Sequence, residues 1–265
     1  MNRDAAVSLA HRSRLSGIAI ILTLGLLLSG CGSSETAEPV ETPTAIGLPA
    51  DATANDILAF ASERLAETTS AAFELTVDGD TFVDPMGVIK LLSAKGNLLR
   101  PDRVATEFKV SIAGRTVTLS LITIGDRTWM TDIVKGEWGP APIEFAYRPD
   151  VLFDTQSGLG PVMGRVSDAT READEEIDGQ PVFHVTADVS ADVVGPMTYY
   201  TLKGDPVKAD IWVSQATGDM LRARLTEPPG PDRPNPATWT LDVNAHGEPV
   251  VIEAPIADEP GTPAP

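Results

Sequence analysis

The chain has 265 residues, of which 42% are apolar and 22% charged, so it is long enough for one large or two small domains with a real hydrophobic core. Its 38 acidic residues outnumber its 20 basic ones, and the net charge of −18 argues against a nucleic-acid partner, whose phosphates require a clustered positive surface. The single cysteine excludes an intramolecular disulfide framework and a zinc site built on paired cysteines.

The first thirty residues have the parts of a secretory signal. Arg3, Arg12 and Arg14 form a basic region, and an apolar run, IAIILTLGLLL, covers 18–28. That run is far short of the ~20 residues that span a bilayer, which favours a signal-peptide core. The run closes with LSGC, the lipobox of bacterial lipoproteins, so we predict that residues 1–30 are a signal peptide and that Cys31 receives a lipid anchor. The alternative is a short transmembrane anchor with an incidental cysteine.

The predicted processing changes both the charge and the location of the protein. Cleavage before Cys31 removes three Arg and one Asp, which leaves 17 basic and 37 acidic side chains and a net charge of −20. An anionic leaflet would repel such a chain, so acyl groups rather than electrostatics must hold it at the membrane. We therefore expect a bacterial protein that is lipid-anchored on the extracytoplasmic face of the cell membrane.

The composition divides the remaining chain into three parts. Residues 31–50 are small, polar and proline-containing after the cysteine, without apolar periodicity, and are predicted to be a flexible tether. Residues 257–265 (ADEPGTPAP) are predicted to be a disordered tail. The folded part is then a single domain over 51–256.

The domain is predicted to open with a helix and to continue as strands. Thr53 and Asp56 have the spacing of a capping box, and the helix over 54–68 has its apolar residues on one face. After Ser70 the apolar period changes from helical to two, which indicates half-buried strands. The alternating sets are Phe73-Leu75-Val77, Val104-Thr106-Phe108-Val110, Val117-Leu119-Leu121, Val207-Ala209-Ile211-Val213, Leu221-Ala223-Leu225 and Trp239-Leu241-Val243.

Short turns between these strands predict an antiparallel meander with one apolar face. Only the helix over 54–68 and the segment 149–163 are available to cover that face. Pro149 can start a short helix in this segment, but Gly158, Gly160 and Pro161 are expected to interrupt it. A curved sheet with an incompletely filled concavity fits this pattern, and periodicity does not separate it from a packed barrel or a sandwich.

The sequence lacks the motifs of common enzymes. It contains no Gly-x-Ser-x-Gly elbow, no His-Glu-x-x-His helix and no Walker loop. Beyond the predicted signal peptide only His184 and His246 remain, and His184 is predicted to be a strand histidine on a polar face. The acidic run over 172–178 does not have the spacing of a calcium loop and fits a solvated hairpin end. We therefore expect no enzyme activity, no metal and no cofactor.

Three segments of the sequence resemble the LppX/LprA/LprF/LprG family of actinobacterial lipoproteins. The order of lipobox, tether and one-sided sheet in this chain is also the layout of that family. The segment 94–132 resembles the family's paired strands. The segment 207–226 resembles its W-x-x-x-x-T-G hairpin, and the segment 237–252 resembles its closing strand and "y-g-e-p-v-x-I" ending. The resemblance covers about 55–253.

The resemblance implies an α+β fold, in which a curved antiparallel half-barrel sheet carries a few helices on its concave face with an apolar cavity between. It also implies a carrier of acylated lipids or glycolipids within or across the cell envelope, with an envelope transporter as a further candidate partner. The alternative is a structural or adaptor lipoprotein with a filled core that binds a protein partner. The inward-facing residues are predicted to line the cavity, and a core role is the alternative for each: Leu75, Val77, Phe108, Val117, Leu119, Leu121, Ile211, Val213 and Leu225, with Leu152, Leu159 and Val162 in a mobile lid.

Overall fold

The computed structural model describes residues 47–255 except 85, 143–150, 152, 167 and 232. The helices are α1 (Ala54–Glu67), α2 (Leu159–Met163) and α3 (Ala191–Thr198). The strands are β1 (Ser70–Asp78), β2 (Ile89–Leu99), β3 (Arg103–Ile112), β4 (Arg115–Ile124), β5 (Arg127–Thr131), β6 (Trp138–Pro140), β7 (Thr170–Arg171), β8 (Glu175–Ile177), β9 (Gln180–Val189), β10 (Val207–Ser214), β11 (Met220–Thr226) and β12 (Thr238–Asn244). The predicted signal peptide, Cys31, Leu152 and the predicted tail lie outside the described residues. Within those residues, no helix combines the length and the apolar composition that crossing a membrane requires.

The capping box predicted at the start of α1 is confirmed. The Thr53 hydroxyl accepts a hydrogen bond from Asp56 N at 3.2 Å, and the Asp56 carboxylate accepts one from Thr53 N at 3.2 Å. The Thr53 side chain, followed by its backbone N–H, holds the pKa of Asp56 below its ordinary value because both groups stabilise the ionised carboxylate. The helix then buries its apolar stripe, which consists of Ile57, Leu58, Ala61 and Leu65.

All twelve strands belong to one antiparallel sheet. Their order is β6-β5-β4-β3-β2-β1-β12-β11-β10-β9-β7, and β8 pairs with β9 beside β7. Strands β6 and β7 stand at opposite edges of the described sheet and do not pair with each other, so the sheet is open. The predicted one-sided antiparallel sheet is confirmed, and it is neither a closed barrel nor a two-sheet sandwich.

The register places the apolar residues of eight strands in rows on one face, here called the inner face. One row is continuous from β4 to β9, because each member pairs directly with the next. Its members are Leu119, Phe108, Ala94, Leu75, Leu241, Ala223, Ile211 and Val185. The buried residues of all three helices join these rows in a single hydrophobic core, so the helices lie on the inner face.

Helix α2 contains Gly160 and Pro161, two of the three residues expected to interrupt a helix that starts at Pro149, so the expectation is wrong for these two. Gly158 lies outside α2 as its N-cap, and Pro149 lies outside the described residues. Pro161 is the third helical residue, where its backbone nitrogen has no intrahelical acceptor and its fixed φ fits the first turn. A Cβ on Gly160 would lie 3.4 Å from Ser62 O, and one on Gly164 would lie 3.2 Å from Ser62 Oγ. The glycines therefore allow α2 to pack closely on α1.

Two further elements carry no clear sequence pattern. Strand β2 contains a register shift between Leu91 and Ser93, which breaks the alternation of its apolar residues. Helix α3 contains Gly195 and Pro196, which disfavour a helix, but burial of Val194 and Met197 at 1% exposure compensates. Packing therefore decides these elements against local propensity.

The strand directions divide the connecting loops between two ends of the sheet, here called the upper and lower poles. The upper pole carries the β1–β2 loop (79–88), the β5–β6 turn (132–137), the segment from α3 to β10 (190–206) and the β11–β12 loop (227–237). The lower pole carries the β10–β11 turn (215–219). Residues 47–50, assigned by sequence to the tether, are held against the domain. Leu48 packs on the core, and Arg171 Nη1 donates to Ala50 O at 2.8 Å.

Candidate functional site

The described residues enclose a cavity of about 740 Å³ on the inner face near the upper pole. This volume falls within the range of about 300–1,000 Å³ that is usual for small-molecule sites. The sheet forms its floor, and three upper-pole segments form its rim: the β1–β2 loop, residues 198–203 at the end of α3 and just after it, and the β11–β12 loop. Helix α1 ends at the lower pole beside the start of β1, and none of its residues lines this cavity.

The floor is apolar because it continues the inward-facing rows of β2 to β5 and β12. Its side chains are Ile89, Leu91, Phe108, Val110, Leu119, Leu121, Met130 and Trp239. The only polar side-chain atom of Trp239 is already engaged, because its indole N–H donates to Thr81 Oγ1 at 3.1 Å. An acyl chain on this floor would therefore contact apolar side chains without displacing a hydrogen-bonded group.

The β1–β2 loop is held in shape by one carboxylate. Asp84 accepts hydrogen bonds from the backbone N–H groups of Met86 at 3.0 Å, Val88 at 2.9 Å and Ile89 at 2.6 Å. The Asp84 side chain therefore serves as the acceptor for backbone N–H groups that have no acceptor in a neighbouring strand. The described residues at this side of the rim are therefore held by hydrogen bonds to one side chain.

A second carboxylate joins the other two rim segments. Glu227 is 4% exposed, and its side chain accepts from the backbone N–H groups of Lys203, of Gly204 at 3.0 Å and of Ala237 at 3.0 Å. The β11–β12 loop has five prolines and few backbone donors of its own. The Glu227 side chain thus ties this loop to the segment that follows α3.

The charges at the rim are unevenly satisfied. Asp84 and Glu227 are engaged by backbone donors, and Asp80 accepts from Lys90 Nζ at 2.7 Å, which holds the pKa of Asp80 below its ordinary value. In contrast, Lys203 and Arg233 form no ion pair with any described residue, and Arg233 Nε is buried without a hydrogen-bond partner. The rim therefore offers unpaired positive charge although the whole chain is acidic.

The structure brings half of the predicted cavity residues to a void. Phe108, Leu119 and Leu121 line the cavity floor. Leu75, Leu159 and Leu225 line a separate gap of about 20 Å³, which shares Thr198 and Trp239 with the cavity. The lipid-contacting role of all six stays a prediction.

The other predicted residues occupy packed surroundings. Val77, Val162, Ile211 and Val213 are buried in the core, and Val117 is half-buried against it. Leu152 lies outside the described residues. The predicted lid segment contributes α2, whose Leu159, Val162 and Met163 are buried beside α1, whereas the rim of the cavity comes from the upper-pole segments.

Sequence reasoning missed most of the rim and part of the floor. Leu91, Val110 and Trp239 lie on the same inward face as the predicted residues. Knowing which end of each strand lies at the upper pole would have identified them as cavity residues. The rim residues Glu227 and Asp84 are only weakly indicated by the sequence. Each is an acidic residue directly before a proline in a loop whose backbone N–H groups need acceptors.

The histidine of β9 belongs to the opposite, outer face of the sheet, as predicted for a polar-face residue. His184 lies 2.9 Å from Glu175 and 3.1 Å from Asp210, and its ring stacks on Trp212 with centroids 4.5 Å apart. The next residue, Val185, belongs to the inner-face row, so His184 lies on the other face and the sheet separates it from the cavity. In the described part of the chain no three His, Cys, Asp or Glu side chains group closely enough to hold a metal ion.

An open antiparallel sheet with helices on one face and an apolar cavity at one pole defines a class of α+β domains. Within that class, the chain belongs to the LppX_LprAFG lipoprotein family, whose model matches residues 53–252. The resemblance stated from sequence is thereby confirmed.

Individual relatives agree with this assignment. The lipoarabinomannan carrier protein LprG of Mycolicibacterium smegmatis is 27% identical over 229 residues, which cover 84% of this chain and 89% of the relative. The protein of the same name from Mycobacterium tuberculosis is 25% identical over 249 residues, which cover 92% and 96%.

Two crystal structures share the fold. LprF from Mycobacterium bovis superimposes with a TM-score of 0.61 at 17% identity, covering 77% of this chain and 97% of LprF. Lipoprotein LppX from Mycobacterium tuberculosis gives 0.54 at 15% identity, covering 76% and 98%.

Proposed function

We propose that the protein is a membrane-anchored, non-enzymatic carrier that holds the acyl chains of a lipid or glycolipid in the upper-pole cavity and moves the lipid within or across the cell envelope. The observation that carries the proposal is the 740 Å³ cavity with its apolar floor. The LprG relatives are named lipoarabinomannan carrier proteins, and this name supports a glycolipid as the class of ligand. An envelope transporter is the further partner that delivery would require.

The energetics of such a site need only apolar contact. Each methylene removed from water contributes about 0.8 kcal/mol, so a chain that buries ten methylenes gains about 8 kcal/mol before ordering costs. The decisive measurement is native mass spectrometry of the mature protein released from gentle detergent. We expect a mass increment from a non-covalently held lipid, separate from the increment of the anchor. A protein that stays free of such lipid after incubation with cell-envelope extract would favour the adaptor alternative.

We also propose that residues 1–30 are removed and that Cys31 carries the anchor. The support is the LSGC sequence around the only cysteine of the chain. Replacing Cys31 with alanine should abolish incorporation of labelled palmitate and shift the protein from the membrane fraction, because no other residue offers this chemistry. Ser33→Ala, which keeps the thiol, is the matched control, and palmitate incorporation that survives Cys31→Ala would refute the assignment.

The unpaired charge at the rim suits an anionic lipid headgroup. Arg233 borders the cavity and has a buried Nε without a partner, and a hydrogen bond between charged groups contributes about 1.5–3 kcal/mol. We expect Arg233→Gln to weaken binding of a phosphate-bearing lipid at least about tenfold while a neutral diacyl lipid binds as before.

The control for this variant removes a positive charge elsewhere. Lys109→Gln changes an exposed side chain on β3, away from the rim, and should leave both affinities unchanged. Displacement of a fluorescent fatty-acyl probe by each lipid gives the affinities. If both variants lose affinity for the anionic lipid equally, general charge rather than Arg233 is responsible.

A further inference from the structure

Large apolar and aromatic side chains that are exposed to solvent are concentrated at the upper pole. Nine of the ten such residues in the described part of the chain lie there. Four are in the β1–β2 loop, two are in the β5–β6 turn, and three are in or just after α3. The tenth, Val251, follows β12 beyond the lower end of the strand. Scattered exposed apolar residues need no explanation, but their concentration at one pole marks an interaction surface.

The exposed side chains stand on backbone that other contacts hold in place. Met86 is 83% exposed at the tip of the loop that the Asp84 carboxylate closes. Tyr199 and Tyr200 are 54% and 63% exposed, and both have positive φ angles, at 53° and 55°. That backbone is unfavourable for tyrosine, and here Tyr200 N donates to Gly195 O at 2.8 Å to close the end of α3.

The exposed surface is continuous with the cavity. Phe82, Val83, Tyr199 and Tyr200 are exposed to solvent and also line the cavity rim. An apolar path therefore runs from the outer surface of the upper pole to the floor. An acyl chain that leaves a bilayer for the cavity would expose its methylenes to water, at about 0.8 kcal/mol each, unless the rim touches the bilayer.

We infer that the upper pole docks on the surface of a lipid bilayer, with Met86 and Tyr200 inserted into the interfacial layer. This inference rests on the proposed carrier function. Tyrosine and aliphatic side chains suit the boundary between headgroups and acyl chains, because each presents an apolar body. Lys203 and Arg233 lie at the same rim without ion-pair partners among the described residues, so they add attraction to anionic headgroups.

The length of chain before the domain permits this docking at the membrane that holds the anchor. Gly47 lies against Gln215 in the β10–β11 turn at the lower pole, so the chain reaches the domain at the pole opposite the rim. A ten-residue strand spans about 34 Å from pole to pole. The 16 residues from 32 to 47 can span at most about 55 Å, which exceeds that distance.

The test places a fluorophore at one position at a time on the anchored protein. The only native cysteine, Cys31, is taken up by the anchor, so Met86→Cys or Val251→Cys supplies a single reactive thiol. The labelled protein is reconstituted in vesicles of phosphatidylcholine with a minor share of phosphatidylglycerol. We expect lipid-attached nitroxide to quench the probe at position 86 several-fold more than the probe at position 251. Equal quenching at the two positions overturns the proposal.

A second measurement separates docking from lipid binding. Met86→Asp combined with Val88→Asp, two exposed residues of the β1–β2 loop that do not line the cavity, should slow transfer of a fluorescent diacyl lipid between vesicles about tenfold, equivalent to about 1.4 kcal/mol, while Val251→Asp leaves the rate unchanged. Lipid retained in native mass spectra should be the same for all three proteins. A wild type that retains no lipid refutes the carrier function. If the double variant retains lipid and transfers it at the wild-type rate, docking alone is refuted. Energy transfer between copies without nitroxide quenching would instead make this pole an interface between copies.

Discussion

Replacing Leu119 with tryptophan is expected to abolish lipid retention. Leu119 is 5% exposed, pairs with Phe108 and points from β4 into the cavity, so a larger side chain grows into the void. An indole that displaces about five methylenes of an acyl chain removes about 4 kcal/mol of burial, or about three orders of magnitude in affinity. Native mass spectrometry of the variant and the wild type, incubated with the same envelope extract, measures the loss.

The neighbouring position on the same strand supplies the control. Thr118 is exposed on the outer face of β4, so Thr118→Trp adds the same ring without entering the cavity. Both variants should unfold within a few degrees of the wild type. If Leu119→Trp unfolds early, the smaller change Leu121→Phe on the same floor replaces it. Full lipid retention by a stable variant of either kind would mean that this void is not the lipid site.

Replacing Glu227 with alanine is expected to destabilise the domain and open the cavity rim. The change leaves the backbone N–H groups of Lys203, Gly204 and Ala237 without their acceptor. An unsatisfied buried donor costs about 1–3 kcal/mol, and water that enters recovers part of it, so the net loss should be about 3 kcal/mol. For a domain of this size the melting temperature should fall about 6–12 °C.

Calorimetry of the unfolding transition tests this expectation against a second glutamate. Glu253 is exposed near the end of the described chain, and Glu253→Ala should stay within about 0.5 kcal/mol of the wild type. The acyl-probe affinity of Glu227→Ala should fall as well, since two rim segments lose their connection. Identical melting temperatures for the two alanine variants would show that the Glu227 carboxylate does not hold the rim together.

The fold was largely predictable because one physical signal dominates it. Alternation of apolar residues placed β1, β3, β4, β10, β11 and β12 correctly, and the Thr53–Asp56 spacing placed the start of α1. Strand β2 and helix α3 were not predicted, since a bulge disturbs the first and Pro196 argues against the second. In both cases tertiary burial outweighs the local sequence, which periodicity cannot detect.

The site was less predictable than the fold for a reason specific to apolar cavities. Leu119 and Ile211 belong to the same inner-face row and to the same hydrophobic core, yet Leu119 lines the cavity and Ile211 does not. Their side chains have the same chemistry, and what separates them is where the helices end on the inner face. That property depends on long-range packing. The rim residues Glu227 and Arg233 lie in a loop without periodicity, so only the assembled upper pole reveals them.

The unpaired edges of the sheet bear on the range of lipid sizes that the proposed carrier would accept. In a closed barrel, the number of strands and their stagger determine the radius, and widening it requires breaking backbone hydrogen bonds. Here β6 and β7 end the described sheet on opposite sides without pairing to each other. A small change of twist between neighbouring strands can therefore spread or narrow the concavity while every ladder remains intact. In the proposed carrier, side-chain packing rather than closure of the strands would set the width of the concavity, which favours tolerance of acyl chains of different bulk over selection of a single cross-section.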